Sequence, residues 1–411
     1  MSDPLETDAT VVVIGASLAG LRAAEEIRHE GHTGPVIIVG DERHVPYDRP
    51  PLSKQLLAGT WDVDRIHHHA PDRLDTLGLE FRLGRRAASL DTGARIVGFD
   101  DGQVLHYDGL VVATGARARR LPGTEGIPGV WALRTLDDCL GIRAGLESAG
   151  EGARVVVIGA GFIGSEVAAT CHGLGARVTM VEALATPLGR VLGDAMGEAC
   201  ARLHRDHGVT VLTGVGVERL SSHPDATTPV VVHLLDGTGL DADLVVVGVG
   251  VEPSVDWLED SGVTVEDGVV CDEVLLAHDR VVAAGDVARW RHPSTGELVR
   301  VEHWTNAAEG GAAAARNLLA GSVGSQPYDP IPFFWSDQYK TKIQMIGLPG
   351  PDDEVVVVGG SVEEGRLVAL YRRGDWLRAA LAFSQPRQLM SYRPLLAAGA
   401  SFDEALALAR S

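Results

Sequence analysis

Glu182 closes an apolar run, Val178-Thr179-Met180-Val181, about twenty residues beyond the glycines of Gly159-Ala160-Gly161-Phe162-Ile163-Gly164. A carboxylate at that distance can accept from both hydroxyls of an adenosine ribose. Gly159 permits the tight strand-to-helix turn, Gly161 lets backbone approach a pyrophosphate, and Gly164 allows the helix to lie close on the strand. Glu166 follows on the same helix. The chemistry implied is dinucleotide binding at a helix N-terminus.

A second copy stands near the start of the chain. Val11-Val12-Val13-Ile14 runs into Gly15-Ala16-Ser17-Leu18-Ala19-Gly20, and Val36-Ile37-Ile38-Val39 then leads to Gly40 and Asp41. Ser17 replaces the second glycine and is still small enough for a phosphate to approach. Two such units predict two bound dinucleotides, the arrangement a flavoprotein fed by a nicotinamide requires.

Three lysines occur in the chain, Lys54, Lys340 and Lys342, against a background rich in arginine. Lys54 and Arg49 lie in Arg49-Pro50-Pro51-Leu52-Ser53-Lys54, where the prolines suppress regular structure and hold a fixed loop that presents both cations to a ligand. Asp286 ends the run Val281-Val282-Ala283-Ala284-Gly285, from which a carboxylate can reach a ribityl hydroxyl or cap a helix. His67, His68 and His69 point in different directions on a loop and are read as solvated. Cys139, Cys171, Cys200 and Cys271 include no C-x-x-C pair and are expected to be buried apolar residues, so neither disulfide exchange nor a metal site is anticipated.

Elements able to position these residues can be read from pattern. Leu83 to Tyr107 alternates, with turns at Asp91-Thr92-Gly93 and Asp100-Asp101-Gly102, and reads as a small antiparallel sheet. Gly123 to Gly129 is a Gly- and Pro-rich linker, after which Thr135 or Asp137 caps a helix. At 411 residues and 45% hydrophobic content the chain has ample core for several domains. A net charge of -20 excludes broad binding to nucleic acid or anionic membranes. With no basic-then-apolar leader and no apolar run of spanning length, a cytoplasmic location is expected.

Taken together, Gly15 to Gly20, Pro50-Pro51-Leu52-Ser53-Lys54, Thr114-Gly115, Gly159 to Glu166, Ala284-Gly285-Asp286, Glu302-His303-Trp304-Thr305-Asn306-Ala307 and Phe334-Trp335-Ser336-Asp337-Gln338 carry a resemblance over essentially the whole chain. They resemble the FAD-dependent, NADH-using ferredoxin reductases of bacterial oxygenase systems, the group of putidaredoxin and rhodocoxin reductases. Departures are Ser17 for a glycine and Ser165 where leucine is common.

The resemblance implies an α/β fold with two Rossmann-like dinucleotide-binding domains in a glutathione-reductase-like arrangement, plus a small C-terminal α/β domain. Its expected limits are residues 1–123 with 253–328 for FAD, 124–252 for NAD, and 329–411 for the C-terminal domain. FAD is held in that family at positions matching Ala19, Asp41, Lys54, Ala87, Arg134, Asp286 and Trp304. Lys54 and Glu166 are expected to pair beside the flavin ring, where the carboxylate also meets the nicotinamide amide. Trp335 is expected between the flavin and a docked, acidic iron-sulfur ferredoxin that feeds an oxygenase. Lys340 and Lys342, on one face of a strand, and Arg316 from the preceding Ala-rich helix would form its landing patch. The expected activity is oxidation of NADH with electrons passed singly to the ferredoxin. An NADH oxidase, or a redox-sensing flavoprotein, is the alternative.

Overall fold

The computed structural model describes residues 3–222, 230–350 and 352–410, without the side chains of Pro71, Asp72 and Asp75. Residues 1, 2, 223–229, 351 and 411, which fall inside the expected domain limits, lie outside the described residues. The chain divides into two compact units, one of residues 1–48, 66–117 and 252–332, the other of 49–65, 118–251 and 333–411. Residues 49–65, within the stretch expected for the first domain, are thus counted with the second unit.

In the first unit Val11–Ile14 pairs in parallel with Val36–Gly40 on one side and Gly109–Val112 on the other, inside a six-stranded sheet. These strands are buried along their whole length, which is why the sequence shows continuous β-branched runs and no alternation. Helices Leu18–His29 and Trp304–Gly324 pack on this sheet. They cross closely, since a Cβ on Gly311 would lie 2.3 Å from the Ala19 carbonyl oxygen. The expected antiparallel excursion is present as Ala87–Asp91, Ile96–Phe99 and Val104–His106.

The second unit repeats the plan with a five-stranded parallel sheet centred on Arg154–Ile158, flanked by Arg177–Glu182 and Leu244–Val247. Thr135 caps the helix Leu136–Ala149 in a reciprocal box with Asp138. Toward its C-terminus this unit carries a five-stranded antiparallel sheet in the order Phe333–Gln338, Thr341–Gly347, Trp376–Phe383, Arg366–Arg373, Glu354–Ser361. One face of that sheet packs on Leu192, Met196 and Cys200, the other on Leu389, Tyr392 and Phe402. The α/β class, with two dinucleotide-type sheets and a C-terminal sheet, agrees with the expectation. No helix among the described residues is long and apolar enough to cross a membrane.

Candidate active site

Both glycine turns adopt the geometry their sequences imply. Gly15 sits at φ +122°, and a Cβ there would lie 2.0 Å from the Ala113 carbonyl oxygen. Gly159 sits at φ +96°, with the same atom 2.3 Å from the carbonyl oxygen of Gly248. A Cβ on Gly20 or Gly164 would lie 1.9 or 2.1 Å from the carbonyl oxygen of Gly15 or Gly159, so no side chain fits at either helix-strand crossing. By contrast, space is open around Gly161. Ser17 and Gly161 are the extended N-caps of their helices, and neither helix has an acidic residue in its first turn. Two positive helix ends therefore stand available to anionic groups.

Around the first turn, a cavity of about 240 Å³ is lined by Gly15, Asp41, Arg85, Arg86, Thr114 and Trp257, among others, with Ala87 at its edge. Thr114 Oγ1 donates to the Ser254 carbonyl at 2.8 Å, and Gly115, at φ +65°, accepts from Ser254 N. Asp286 lies in the turn Gly285–Val287, close enough to His303 to interact electrostatically. Burial holds the His303 imidazole down at about 4, opposed by Asp286. Trp304 Nε1 donates to Asp48 Oδ1 at 2.7 Å, while Glu302 pairs with Arg300. Ala19 is buried at the helix crossing, where its small side chain is a packing requirement.

In the second unit, Glu182 Oε2 accepts from Ala160 N and Oε1 from Leu184 N, both at 2.9 Å. The carboxylate ties the glycine turn to the loop after its own strand and keeps lone pairs for a ribose. Pro50–Ser53 forms a short 3-10 helix, where the sequence pattern predicts irregular loop: the prolines occupy first-turn positions that need no N–H. Arg49 Nη1 donates to the Arg134 carbonyl at 2.5 Å, bringing together two residues expected at the cofactor.

Glu166 is 2% exposed and is the most heavily coordinated carboxylate of the site. Lys54 Nζ lies 2.7 Å from Oε2, which also accepts from Ser53 Oγ at 2.5 Å. Oε1 accepts from Ser336 Oγ at 2.8 Å and Asp337 N at 3.2 Å. Full hydrogen bonding of this kind offsets the cost of burying an ion pair, and losing one partner would leave an uncompensated charge. Ser53, Ser336 and Gln338 were not singled out from sequence. Their signal was available: in Phe334-Trp335-Ser336-Asp337-Gln338, Ser336 and Gln338 share with Phe334 the buried face of a strand, and buried polar residues need partners.

The remaining expected residues fall as follows, and the shared strand face of Lys340 and Lys342 needs correction. Lys340 lies in the two-residue turn between Phe333–Gln338 and Thr341–Gly347 and is no strand neighbour of Lys342, because the chain reverses at Tyr339. Lys342 is half-exposed and 3.4 Å from Asp337. Arg316, in the first unit, pairs with Glu26 at 2.6 Å. Trp335 stacks on Phe333. The three histidines are partly buried, and two of them are not simply solvated: His69 pairs with Glu25, and burial lowers His68. All four cysteines are buried and free, as anticipated, and desolvation pushes the Cys139, Cys171 and Cys200 thiols up to about 12. They are not nucleophiles at neutral pH.

Two nucleotide turns, each at the carboxyl edge of a buried parallel sheet, define a two-dinucleotide oxidoreductase. The chain belongs to the pyridine nucleotide-disulphide oxidoreductase family, matched over residues 9–311, and residues 333–411 match the reductase C-terminal domain. Rhodocoxin reductase of Rhodococcus erythropolis is 36% identical over 98% of this chain and 95% of its own length. Putidaredoxin reductase of Pseudomonas putida is 34% identical over 93% and 92%. The covalent putidaredoxin reductase-putidaredoxin complex superposes with a TM-score of 0.90 at 32% identity, covering 96% of this chain and 94% of that one.

The residues fit the flavin and nicotinamide dinucleotides that this family uses. Gly15 and Gly159 leave backbone where any Cβ would clash, neither helix has an acidic residue in its first turn, and the first turn opens on a cavity lined by two carboxylates, Asp41 and Asp256, and by arginines.

Proposed function

We propose that the chain is an FAD-dependent NADH:ferredoxin reductase that supplies an oxygenase system. The observation that carries this reading is the combination of two nucleotide turns with four separate, buried, high-pKa cysteines. A relative of disulfide reductases without a cysteine pair needs another acceptor. Bound flavin takes two electrons together from the nicotinamide and releases them one at a time, which an iron-sulfur acceptor demands.

Within this reading, residues 1–123 and 253–328 bind FAD, 124–252 bind NADH and 329–411 form the C-terminal domain. Asp41, Ala87, Thr114 and the Gly15 turn take the adenosine end of FAD, and Asp286, Glu302 and Trp304 its other half. Arg49 and Arg134 contribute to holding FAD, while Gly159, Gly161, Gly164 and Glu182 take NADH. Lys54 places a positive charge beside the reacting ring and Glu166 fixes that charge in position. Lys340 and Lys342 offer the acidic ferredoxin a local attraction against the net charge of -20. Trp335 supplies an aromatic bridge toward it. The work is done in the cytoplasm.

Anaerobic titration with NADH tests the core of this reading: the yellow bands should be present and should bleach, and a colourless pure protein would reject it. Reversing Lys340 and Lys342 to glutamate should then lower ferredoxin reduction and its salt dependence while sparing ferricyanide reduction. Equal losses with both acceptors would place the damage at the cofactor.

A further inference from the structure

The Glu166 coordination shell continues outward into a polar chain that the ion pair alone does not require. Gln338 Nε2 donates to Ser336 Oγ at 3.2 Å, and Ser336 and Gln338 are both fully buried. At the far end, His204 Nδ1 lies 2.9 Å from the Tyr339 hydroxyl. The link between them is the Gln338 side chain acting on the His204 ring. The Gln338 amide raises the basicity of the His204 ring, and His204 Nε2 and Gln338 Oε1 are both buried with no better partner.

Donor and acceptor roles along this chain are forced from one end. The Glu166 carboxylate facing Lys54 is acceptor only, so Ser336 spends its proton there and accepts from the Gln338 amide nitrogen. Gln338 Oε1 is then left toward His204. A neutral imidazole that donates from Nε2 must accept at Nδ1, so Tyr339 donates. Two features keep that polarity. Burial holds His204 down at about 4, with His207 and His172 adding to the effect, so the ring is neutral near pH 7. Burial likewise raises the Tyr339 phenol, which stays protonated.

The backbone is bent to make this arrangement. Tyr339 sits at φ +56° in the hairpin turn, a conformation that costs a non-glycine residue about 1 kcal/mol or more. Its ring is clamped by His207, stacked at 3.7 Å and 8°, and by the edges of His172 and His204. His207 is itself fixed by Nδ1 donating to the Leu203 carbonyl at 2.8 Å. Glycine or asparagine would fill such a turn more cheaply, but neither would supply a phenol.

We propose that Tyr339, His204 and Gln338 form a one-directional hydrogen-bond relay, every donor aimed at Glu166, that fixes this carboxylate against Lys54. They are positioning residues for the ion pair. Their effect on catalysis rests on the function proposed above, whereas the relay itself does not.

The test uses the flavin-loaded protein with 15N-labelled histidine, and assigns the His204 signal by its loss in His204→Asn. Long-range 1H-15N spectra at pH 7 should show a neutral His204 with the proton on Nε2. Tyr339→Phe keeps the ring and removes the donor. It should shift His204 away from that single tautomer and slow NADH-driven flavin reduction about fivefold, with NADH affinity within twofold. Gln338→Leu should slow reduction at least as much, and Tyr339→Phe remains the test if that buried change prevents folding. A cationic ring, a proton on Nδ1, or a tautomer indifferent to Tyr339→Phe would overturn the relay. A tautomer shift with reduction unchanged would overturn its positioning role. Should wild-type flavin not bleach with NADH, the functional reading fails and the tautomer still decides the relay.

Discussion

The two glycine turns are nearly the same backbone built twice, and the position seven residues past the first glycine shows where they part. In the first turn that residue is Arg22, partly exposed and paired 2.6 Å from Glu25 on its own helix. In the second it is Glu166, buried and held by Lys54, Ser53, Ser336 and Asp337. The acids that follow the second strands differ in the same sense: Asp41 is exposed at a cavity wall, whereas Glu182 is bonded to two backbone N–H groups. A dinucleotide turn is thus a reusable scaffold. Its side chains decide whether it only holds a nucleotide or also places charge at a reacting ring.

The strongest way to break the comparison is to block each turn. Gly15→Val and Gly159→Val both insert carbon where a carbonyl oxygen already lies within 2.3 Å or less. Gly15→Val should yield protein with little visible flavin. Gly159→Val should stay yellow and lose NADH-driven reduction by roughly 100-fold, about 2.7 kcal/mol. Identical outcomes in absorbance would mean that the two turns do not hold different nucleotides.

Next come the equivalent ion pairs. Lys54→Met leaves the Glu166 charge buried and should cost about 3 kcal/mol or more in chemical denaturation, with part recovered in Lys54→Met/Glu166→Gln. Arg22→Met should cost under about 1 kcal/mol, since exposed helix pairs are weak. Flavin reduction should slow in Lys54→Met alone of the two singles. A rate within about twofold of wild type would remove Lys54 from the chemistry.

Each unit also holds a histidine down at about 4, His303 in the first and His204 in the second. Because the unfolded imidazole takes its proton near 6.5, the unfolded chain binds more protons below that pH. The stability each neutral ring contributes is complete above about pH 6.5 and is lost as pH falls toward 4. Each should cost about 2 kcal/mol between pH 7 and 5. Urea midpoints at the two pH values measure the sum, and His204→Gln should flatten only its own share.

The smallest effect expected is in nucleotide choice. Glu182 would face a 2′-phosphate with like charge, so NADH should be used more efficiently than NADPH. Glu182→Gln removes the charge and should narrow the kcat/KM ratio by about tenfold, roughly 1.4 kcal/mol. A ratio already near one in the wild type would mean that Arg190, the nearest later arginine, folds back to the phosphate.

Much of this was legible in the chain. Buried parallel strands announce themselves as β-branched runs, and the turns between them as glycines at fixed spacing, because both are local steric demands. Val11–Ile14 and Arg154–Ile158 are of this kind. The short helix Pro50–Ser53, the engaged His68 and His69 and the reversal at Tyr339 were not. In the first, prolines at first-turn positions allowed a short helix, and in the others a tertiary partner or an unusual φ overrode composition.

The pair of nucleotide turns, the strands that carry them and the lack of a cysteine pair could all be read from the chain. Those follow from residue size, spacing and counting. Only the tertiary structure decided that Ser53, Lys54, Ser336 and Asp337 all converge on Glu166, and that Tyr339 turns back to His204. Residues 54, 166 and 336 are far apart in the chain, and no local preference encodes their meeting. A buried carboxylate must find every donor it needs, and the fold alone determines which distant segments supply them.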